Sequence, residues 1–289
     1  MNDKYEERLG TDRMLPLVFR MALPAVIAQI VNLLYNIVDR IYIGHIPGIG
    51  TQALAGIGVA GSLIILISAF SAIVAGGGAP LAAIALGQGN RTHAGKILGN
   101  GFVLLLFFTL LTSGLSYLFM EPILLFTGAS EQTLGYATAY LSIYLIGTLF
   151  VEVSVGLNTF INTQGRPGIA MLSIVIGALL NILLDPLFIF VFDWGVKGAA
   201  LATIISQACS AGWVLFFLTS RRASLRLEPR YMRLDRKVVG AILALGASPF
   251  IMASTESLVG FVLNGSLKTF GDIYVLSLIH ISEPTRLGM

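Results

Sequence analysis

Residues 54–80 read LAGIGVAGSLIILISAFSAIVAGGGAP and contain no charged side chain. A helix needs about 20 apolar residues to cross the hydrocarbon core of a membrane, and this stretch is longer than that. Six other stretches are also predominantly apolar and long enough to span, at about 16–43, 98–120, 136–161, 169–192, 199–219 and 238–263. The sequence therefore predicts an all-α polytopic membrane protein with seven spanning helices.

The composition supports the same fold class. Charged residues make up 11% of the 289-residue chain and hydrophobic residues 56%, whereas soluble domains carry about 25% and 45–50%. This excludes a soluble enzyme, a disordered chain and a nucleic-acid-binding protein, despite a net charge of +3. The single cysteine, Cys209, excludes an internal disulfide and a thiolate metal cluster. The three histidines are far apart and share no spacing of metal ligands.

Basic residues predict the orientation of the helices. They concentrate in residues 221–237, in the N-terminal tail, and in the loops after the second and fourth spans, whereas the opposite loops are poor in Lys and Arg. By the positive-inside rule, the N-terminus and residues 221–237 are cytoplasmic. We interpret the first span as an uncleaved anchor, because it is too long for the core of a signal peptide.

A weak internal repeat relates the seventh span to the first. Residues 249–253, PFIMA, have the pattern of residues 24–28, PAVIA, at an offset of 225 residues. This offset covers six spans and the basic loop, as expected for two parallel six-helix lobes. Pro24 also interrupts the first span, where we expect a bend.

The repeat predicts the domain organisation. We expect a six-helix transmembrane lobe at 1–220, a cytoplasmic basic inter-lobe loop at 221–237, and the start of a second lobe, with the seventh helix, at 238–275. Residues 276–289 resemble a translated sequencing adaptor, and we exclude them from the reasoning about fold and function. The natural protein is then expected to have about 450 residues, and the chain as given is not expected to transport on its own.

The first span carries a polar stripe. Gln29, Asn32, Asn36 and Asp39 recur at helical spacing, so they share one face that can line a cavity. An ionisable residue inside a membrane costs a few kcal/mol and indicates a function. The alternative is that Asp39 lies at the membrane edge and pairs with Arg40.

The most specific polar feature is in the fifth span. Asn181 and Asp185 are four residues apart and face the same way. Pro186 cannot donate a hydrogen bond to the carbonyl of Ile182. Carboxylate, amide and carbonyl oxygens suit Na⁺, or the carboxylate can carry a proton. The alternative is a proline kink in which Asp185 caps the following half-helix.

The remaining polar residues of the spans are less specific. Thr203 and Gln207 form an i, i+4 pair in the sixth span, which polar packing between helices explains equally well. Asn158 and Asn162 form a similar pair in the fourth span, and the sequence gives no account of Glu152. Glu256 in the seventh span is a candidate titrating group. The glycines 76–78 are expected to permit close helix packing.

Several motifs together resemble the multidrug and toxic compound extrusion (MATE) family of transporters, bacterial type, up to about Val275. These motifs are LYNIVD at 34–39, Gly44, ALAGIG at 53–58, GQG at 87–89, QGRP at 164–167 and NILLDP at 181–186. The resemblance implies two six-helix lobes around a central cleft. It also implies that the chain is truncated after the start of the second lobe.

The resemblance implies a cation-coupled antiporter, not an enzyme, which exports amphipathic and often cationic compounds across the bacterial cytoplasmic (inner) membrane. The bilayer and small amphipathic substrates are its expected partners, without nucleic acid, and Na⁺ or H⁺ is the coupling ion without a further cofactor. The implied N-lobe cation site, for Na⁺ or a proton, comprises Asp39, Asn181, Asp185 and Thr203, and Glu256 matches a second coupling carboxylate. The expected substrate cleft comprises Gln29, Asn32, Asn36, Asn158 and Gln207.

Two alternatives differ in the chemistry that they need. An intramembrane aspartyl protease also uses two membrane aspartates, but Asp39 and Asp185 lie in VDR and LDP rather than in the motifs of that class. A lipid-linked precursor flippase of the same broad superfamily is the closer alternative. It should place cationic side chains in the cleft to bind pyrophosphate, whereas the spans here offer carboxylates.

Overall fold

The protein is described by a computed structural model that covers residues 14–268. These residues form nine α-helices: α1 (Met14–Gly44), α2 (Gly50–Ile73), α3 (Ala79–Gly87), α4 (Arg91–Leu118), α5 (Met120–Phe126), α6 (Glu131–Asn162), α7 (Pro167–Pro186), α8 (Gly195–Thr219) and α9 (Arg236–Lys268). Two π-helical turns, Val74–Gly78 and Leu187–Val191, follow α2 and α7. A 3₁₀ turn, Pro229–Tyr231, lies in the basic loop.

Within residues 14–268, seven helical segments are long and apolar enough to cross a membrane, which confirms the prediction of a polytopic all-α membrane protein. They are Val18–Gly44, Gly50–Gly87, Arg91–Leu118, Glu131–Asn162, Pro167–Val191, Gly195–Thr219 and Arg236–Leu267. Several begin before the predicted bounds, because polar caps extend them. Asn90 accepts a hydrogen bond from the backbone N–H of His93, and Ser130 forms a capping box with Thr133.

The two prolines affect their helices differently. The helix α1 continues through Pro24, so the proline does not end it, and a bend there stays a prediction. At Pro186 the α-helix does end, and a wider π turn follows, in which the N–H of Phe192 donates to the carbonyl of Leu187 at 3.0 Å. The missing N–H of Pro186 leaves the carbonyl of Ile182 without its helical donor and weakens the ladder at this point.

The centre of the bundle is α6, which packs against α2, α4 and α8. Its side chains Leu141, Leu157 and Phe160 are fully buried. Many leucines, isoleucines and phenylalanines on the other helices are exposed, as expected for surfaces that face lipid. In contrast, α1 is peripheral. It packs mainly against α7, and little of its apolar length is buried.

The glycines at 76–78 permit close packing, as predicted. A Cβ atom on Gly77 would overlap the carbonyl oxygen of Ile242 and lie 2.8 Å from the backbone nitrogen of Gly246. On Gly76 it would lie 2.6 Å from the ring of Pro249. The backbone of α9 therefore rests directly on the π turn after α2.

Two buried amides attach the basic loop to the bundle. Asn100 of α4 donates to the carbonyls of Tyr231 and Arg233, both at 3.2 Å, and accepts from the N–H of Asp235 at 2.7 Å. Gln164, after α6, accepts from the N–H of Leu225 at 3.0 Å. These bonds satisfy loop groups that no regular ladder can pair. The predicted loop 221–237 ends earlier in the structure, because α9 begins at Arg236.

Candidate cation site

The C-terminal half of α7 provides the centre of the site. Asn181 and Asp185 are one helical turn apart, and both side chains are buried. The amide nitrogen Nδ2 of Asn181 donates to Oδ1 of Asp185 at 3.3 Å. The predicted pair therefore does share one face, and that face points into the protein.

The neighbouring helix α8 adds a hydroxyl group. Nδ2 of Asn181 also contacts Oγ1 of Thr203 at 3.5 Å, while the Thr203 hydroxyl donates to the carbonyl of Ala199 at 3.1 Å. Because the hydroxyl hydrogen is used within α8, an oxygen lone pair of Thr203 is directed toward Asn181. Gln207 lies one turn further along α8 and is half-buried.

The helix α1 adds the second carboxylate. The side chain of Asp39 is half-buried, and its carboxyl group lies within interaction range of Asp185. Arg40 also lies within electrostatic range of Asp39. The structure thus brings together Asp39, Asn181, Asp185 and Thr203, which we call the oxygen cluster.

Three oxygens of the oxygen cluster are buried and have no hydrogen-bond donor among the described residues. They are Oδ1 of Asp39, Oδ1 of Asn181 and Oδ2 of Asp185. A buried polar atom without a partner costs about 1–3 kcal/mol, and two neighbouring carboxylates in a low dielectric repel each other. A proton or a monovalent cation bound between them removes both costs. Hard oxygen donors of this kind fit Na⁺.

Tyrosine side chains surround the oxygen cluster, and the sequence analysis missed them. Tyr35 and Tyr140 both lie within electrostatic range of Asp39, and Tyr140 contacts Thr203. The rings of Tyr140 and Tyr144 stack with their centroids 5.9 Å apart. The i, i+4 spacing of Tyr140 and Tyr144 in an apolar span was a signal that could have identified them.

The other predicted cleft residues lie in different environments. On α1, Gln29 is exposed, and Asn36 donates its amide to the carbonyl of Asn32 at 2.7 Å, within the helix. On α6, Asn158 is buried and donates to the carbonyl of Ala170 at 3.2 Å, across the contact between α6 and α7. A role of these residues in a substrate cleft stays a prediction.

Glu256 lies outside the oxygen cluster. It is exposed on α9, which packs against α2 and the following π turn rather than beside α7 and α8. The next residue, Ser257, faces inward and donates to the carbonyl of Ser62 at 2.6 Å. The structure therefore separates this carboxylate from Asp39 and Asp185, and its coupling role also stays a prediction.

Comparisons with known proteins converge on one family. A family model described as MatE matches residues 24–187. The multidrug export protein MepA of Staphylococcus haemolyticus is 24% identical over 260 residues, which cover 90% of this chain and 57% of that protein. The chain thus spans little more than half the length of this relative.

Solved structures give the same result. The MATE multidrug transporter DinF-BH aligns with a TM-score of 0.89 and 32% identity over 95% of this chain and 61% of that chain. An inward-facing multidrug resistance MATE family transporter of the MOP superfamily aligns with a TM-score of 0.82 over 94% and 62% of the two chains. Because the identity is 24%, the similarity to this second structure shows only that the two chains share a fold.

Proposed function

Since the chain belongs to the MatE family, we propose that the protein containing it is a cation-coupled antiporter, not an enzyme. It exports amphipathic, often cationic compounds across the bacterial cytoplasmic membrane and takes up Na⁺ or H⁺ in exchange. Its N-terminus and the basic loop lie on the cytoplasmic side. The similarity to the multidrug export protein MepA supports this activity.

The observation that carries the proposal is the oxygen cluster with its unpartnered oxygens. Two carboxyl groups, an amide and a hydroxyl from three helices converge, and three of their oxygens lack a donor among the described residues. A site that is satisfied only when it holds a proton or a cation is what ion coupling needs. Carboxylates rather than cationic side chains in this site favour a cationic substrate over a pyrophosphate-linked lipid.

Ion binding acts on α1 because Asp39 is the one member of the oxygen cluster on that helix. The bound ion draws Asp39 toward α7, and its release lets the two carboxylates repel each other. Because α1 is peripheral and packs mainly against α7, the helix can change position at little cost to the core. The ion thereby shifts the equilibrium between the inward-open and the outward-open cleft, because it binds one of these two states more tightly than the other.

The test uses a full-length protein that carries this sequence, in inverted membrane vesicles with a fluorescent organic cation as substrate. We expect Asp39→Asn and Asp185→Asn each to reduce Na⁺- or H⁺-driven transport at least about tenfold, because each removes a charge that the ion neutralises. Wild-type transport by both variants would falsify the proposed coupling site. Transport of a lipid pyrophosphate but not of the cation would support the flippase instead.

Asp235→Asn is the matched control. It makes the same chemical change in the basic loop, where the side chain of Asp235 accepts from the N–H of Lys237 at 3.0 Å. Asparagine can accept the same bond. We therefore expect this variant to transport like the wild type.

A further inference from the structure

A second buried carboxyl group lies in the bundle, apart from the oxygen cluster. Glu152 is in the interior of the α6 span, and only 2% of its surface is exposed. A carboxylate inside a membrane is expensive and indicates a function. The ion site on α1, α7 and α8 does not use this residue.

One oxygen of Glu152 is paired and the other is not. The hydroxyl of Ser68 on α2 donates to Oε1 of Glu152 at 2.7 Å, and Ser71 lies within contact of the same carboxyl group. Oε2 is buried and has no hydrogen-bond partner among residues 14–268. Ser71 is itself buried and donates its hydroxyl to the carbonyl of Ser68 at 2.9 Å.

The surroundings contain few groups that could neutralise a charge on Glu152. On α6 itself, Tyr144 is the titratable side chain within electrostatic range, and α2 contributes the two serine hydroxyls. The helices α4 and α8 contact this part of α6 through apolar residues, Leu105 against Gly156 and Ile204 against Gly147. A negative charge on Glu152 therefore has little compensation from these neighbours.

The tyrosines connect Glu152 to the oxygen cluster. Tyr144 interacts with Glu152 at one end and stacks on Tyr140 at 5.9 Å. Tyr140 in turn contacts Thr203 and lies within electrostatic range of Asp39. Two tyrosines thus lie along α6 between Glu152 and the ion site.

We propose that Glu152, held by Ser68, is a second proton-exchanging group of the lobe and that its protonation is linked to ion occupancy of the oxygen cluster. Positive charge that enters the cluster favours the ionised carboxylate of Glu152. The O–H bond of the carboxyl group then breaks, its electron pair stays on the carboxylate oxygen, and the proton passes to water. Such linkage is reciprocal, so a protonated Glu152 weakens ion binding. The inference rests on the proposed function for its role in transport.

Infrared difference spectroscopy on a full-length protein that carries this sequence, in lipid nanodiscs, tests the proposal without a transport assay. The wild type should show a carbonyl-stretch band of a protonated carboxyl group that disappears when the pH is raised. Glu152→Gln should lose this band, while Asp235→Asn keeps it. Glutamine preserves the acceptor for Ser68, so the substitution changes the titration rather than the packing.

Two further variants test the linkage and guard against misfolding of the glutamine variant. Asp39→Asn together with Asp185→Asn removes negative charge at the oxygen cluster and should shift the loss of the Glu152 band to lower pH. Ser68→Ala removes the hydroxyl that donates to Oε1 at 2.7 Å and should also shift the band in pH. A band that never changes with pH, no band from Glu152, or a pH response that none of these variants alters would overturn the proposal.

The two proposals can fail separately. If the aspartate variants transport normally but the Glu152 band titrates as expected, the proposed coupling site is wrong and the proton site stands. If transport depends on Asp39 and Asp185 but the band is absent or unchanging, only the Glu152 proposal is wrong.

Discussion

Asn181 on α7 and Thr203 on α8 are joined by a contact of 3.5 Å between the amide nitrogen and the hydroxyl oxygen, and the same amide holds Asp185 at 3.3 Å. This single amide group links two helices and orients a carboxylate of the oxygen cluster. Because the Thr203 hydroxyl donates to Ala199, its contribution to the cluster is an acceptor oxygen.

Thr203→Val in a full-length protein should therefore weaken ion coupling. Valine has nearly the same shape but lacks the oxygen, so Asn181 loses an acceptor and the cluster loses a ligand. We expect the ion concentration for half-maximal transport to rise about tenfold, which corresponds to about 1.4 kcal/mol. The measurement is transport of a fluorescent cation against Na⁺ concentration and against pH.

Ser206→Ala is the control for this variant. Ser206 is buried on the same helix, but its hydroxyl donates to the carbonyl of Ala202 at 2.7 Å. Its removal should leave the ion dependence unchanged. An equal effect of both variants would show that Thr203 acts through the packing of α8 rather than through the ion.

Asn100→Ala should release the basic loop from the bundle. Asn100 is fully buried; its amide NH2 group shares its two hydrogens among the carbonyls of Lys96, Tyr231 and Arg233, and its oxygen accepts from the N–H of Asp235. Alanine leaves these loop groups without a partner. Limited digestion with trypsin should therefore cut after Arg230 and Arg233 several-fold faster than in the wild type.

Asn162→Ala supplies a control with the same chemical change. Asn162 is exposed at the end of α6, and its truncation should not alter the digestion rate. Equal rates for Asn100→Ala and the wild type would show that the amide does not hold the loop.

Gln164→Ala should lower the stability of the chain. The side chain is buried; its amide donates to the carbonyl of Phe160 at 2.9 Å, and its carbonyl accepts from Leu225 at 3.0 Å. Losing both bonds costs about 1–3 kcal/mol. Thermal unfolding in detergent should show a lower midpoint than for the wild type and for Asn162→Ala. A midpoint equal to that of Asn162→Ala contradicts the prediction.

Gly77→Ala should disturb the contact between α9 and the π turn after α2. The added methyl group would overlap the carbonyl of Ile242, so α9 has to move outward. Overpacking of this kind costs about 1–3 kcal/mol, and the midpoint of thermal unfolding should fall accordingly. Gly61→Ala is the matched control, because a Cβ atom there meets no atom within 4 Å. A loss of stability in Gly61→Ala as large as in Gly77→Ala would contradict the role of close packing.

Much of this arrangement was predictable from the sequence, because transfer of apolar residues into lipid depends on composition and length. The seven spans follow from that alone, and the common face of Asn181 and Asp185 follows from the helical period. The close packing at the glycines 76–78 was also predictable, although its partner α9 was not. Polar caps place several helix starts outside the bounds predicted from hydropathy. A cap acts within one helical turn, and a hydropathy pattern does not locate a helix end that closely.

Tertiary structure alone decided which polar groups meet. The contacts that build the oxygen cluster join different helices: Asp39 with Asp185, Asn181 with Thr203, and Tyr140 with Thr203. The bond from Ser68 to Glu152 also joins two helices. Helical periodicity could not select these partners, because side chains that face lipid and side chains that face another helix are equally apolar. The resemblance to the MATE family implied that Asp39, Asn181, Asp185 and Thr203 meet, but it implied neither the tyrosines nor the bond from Ser68 to Glu152. The sequence by itself determined that the chain enters the membrane and which stretches of residues 14–268 are long and apolar enough to cross it. Close approach at small residues and the pairing of buried polar atoms decided which faces pack together and where ions and protons can be held.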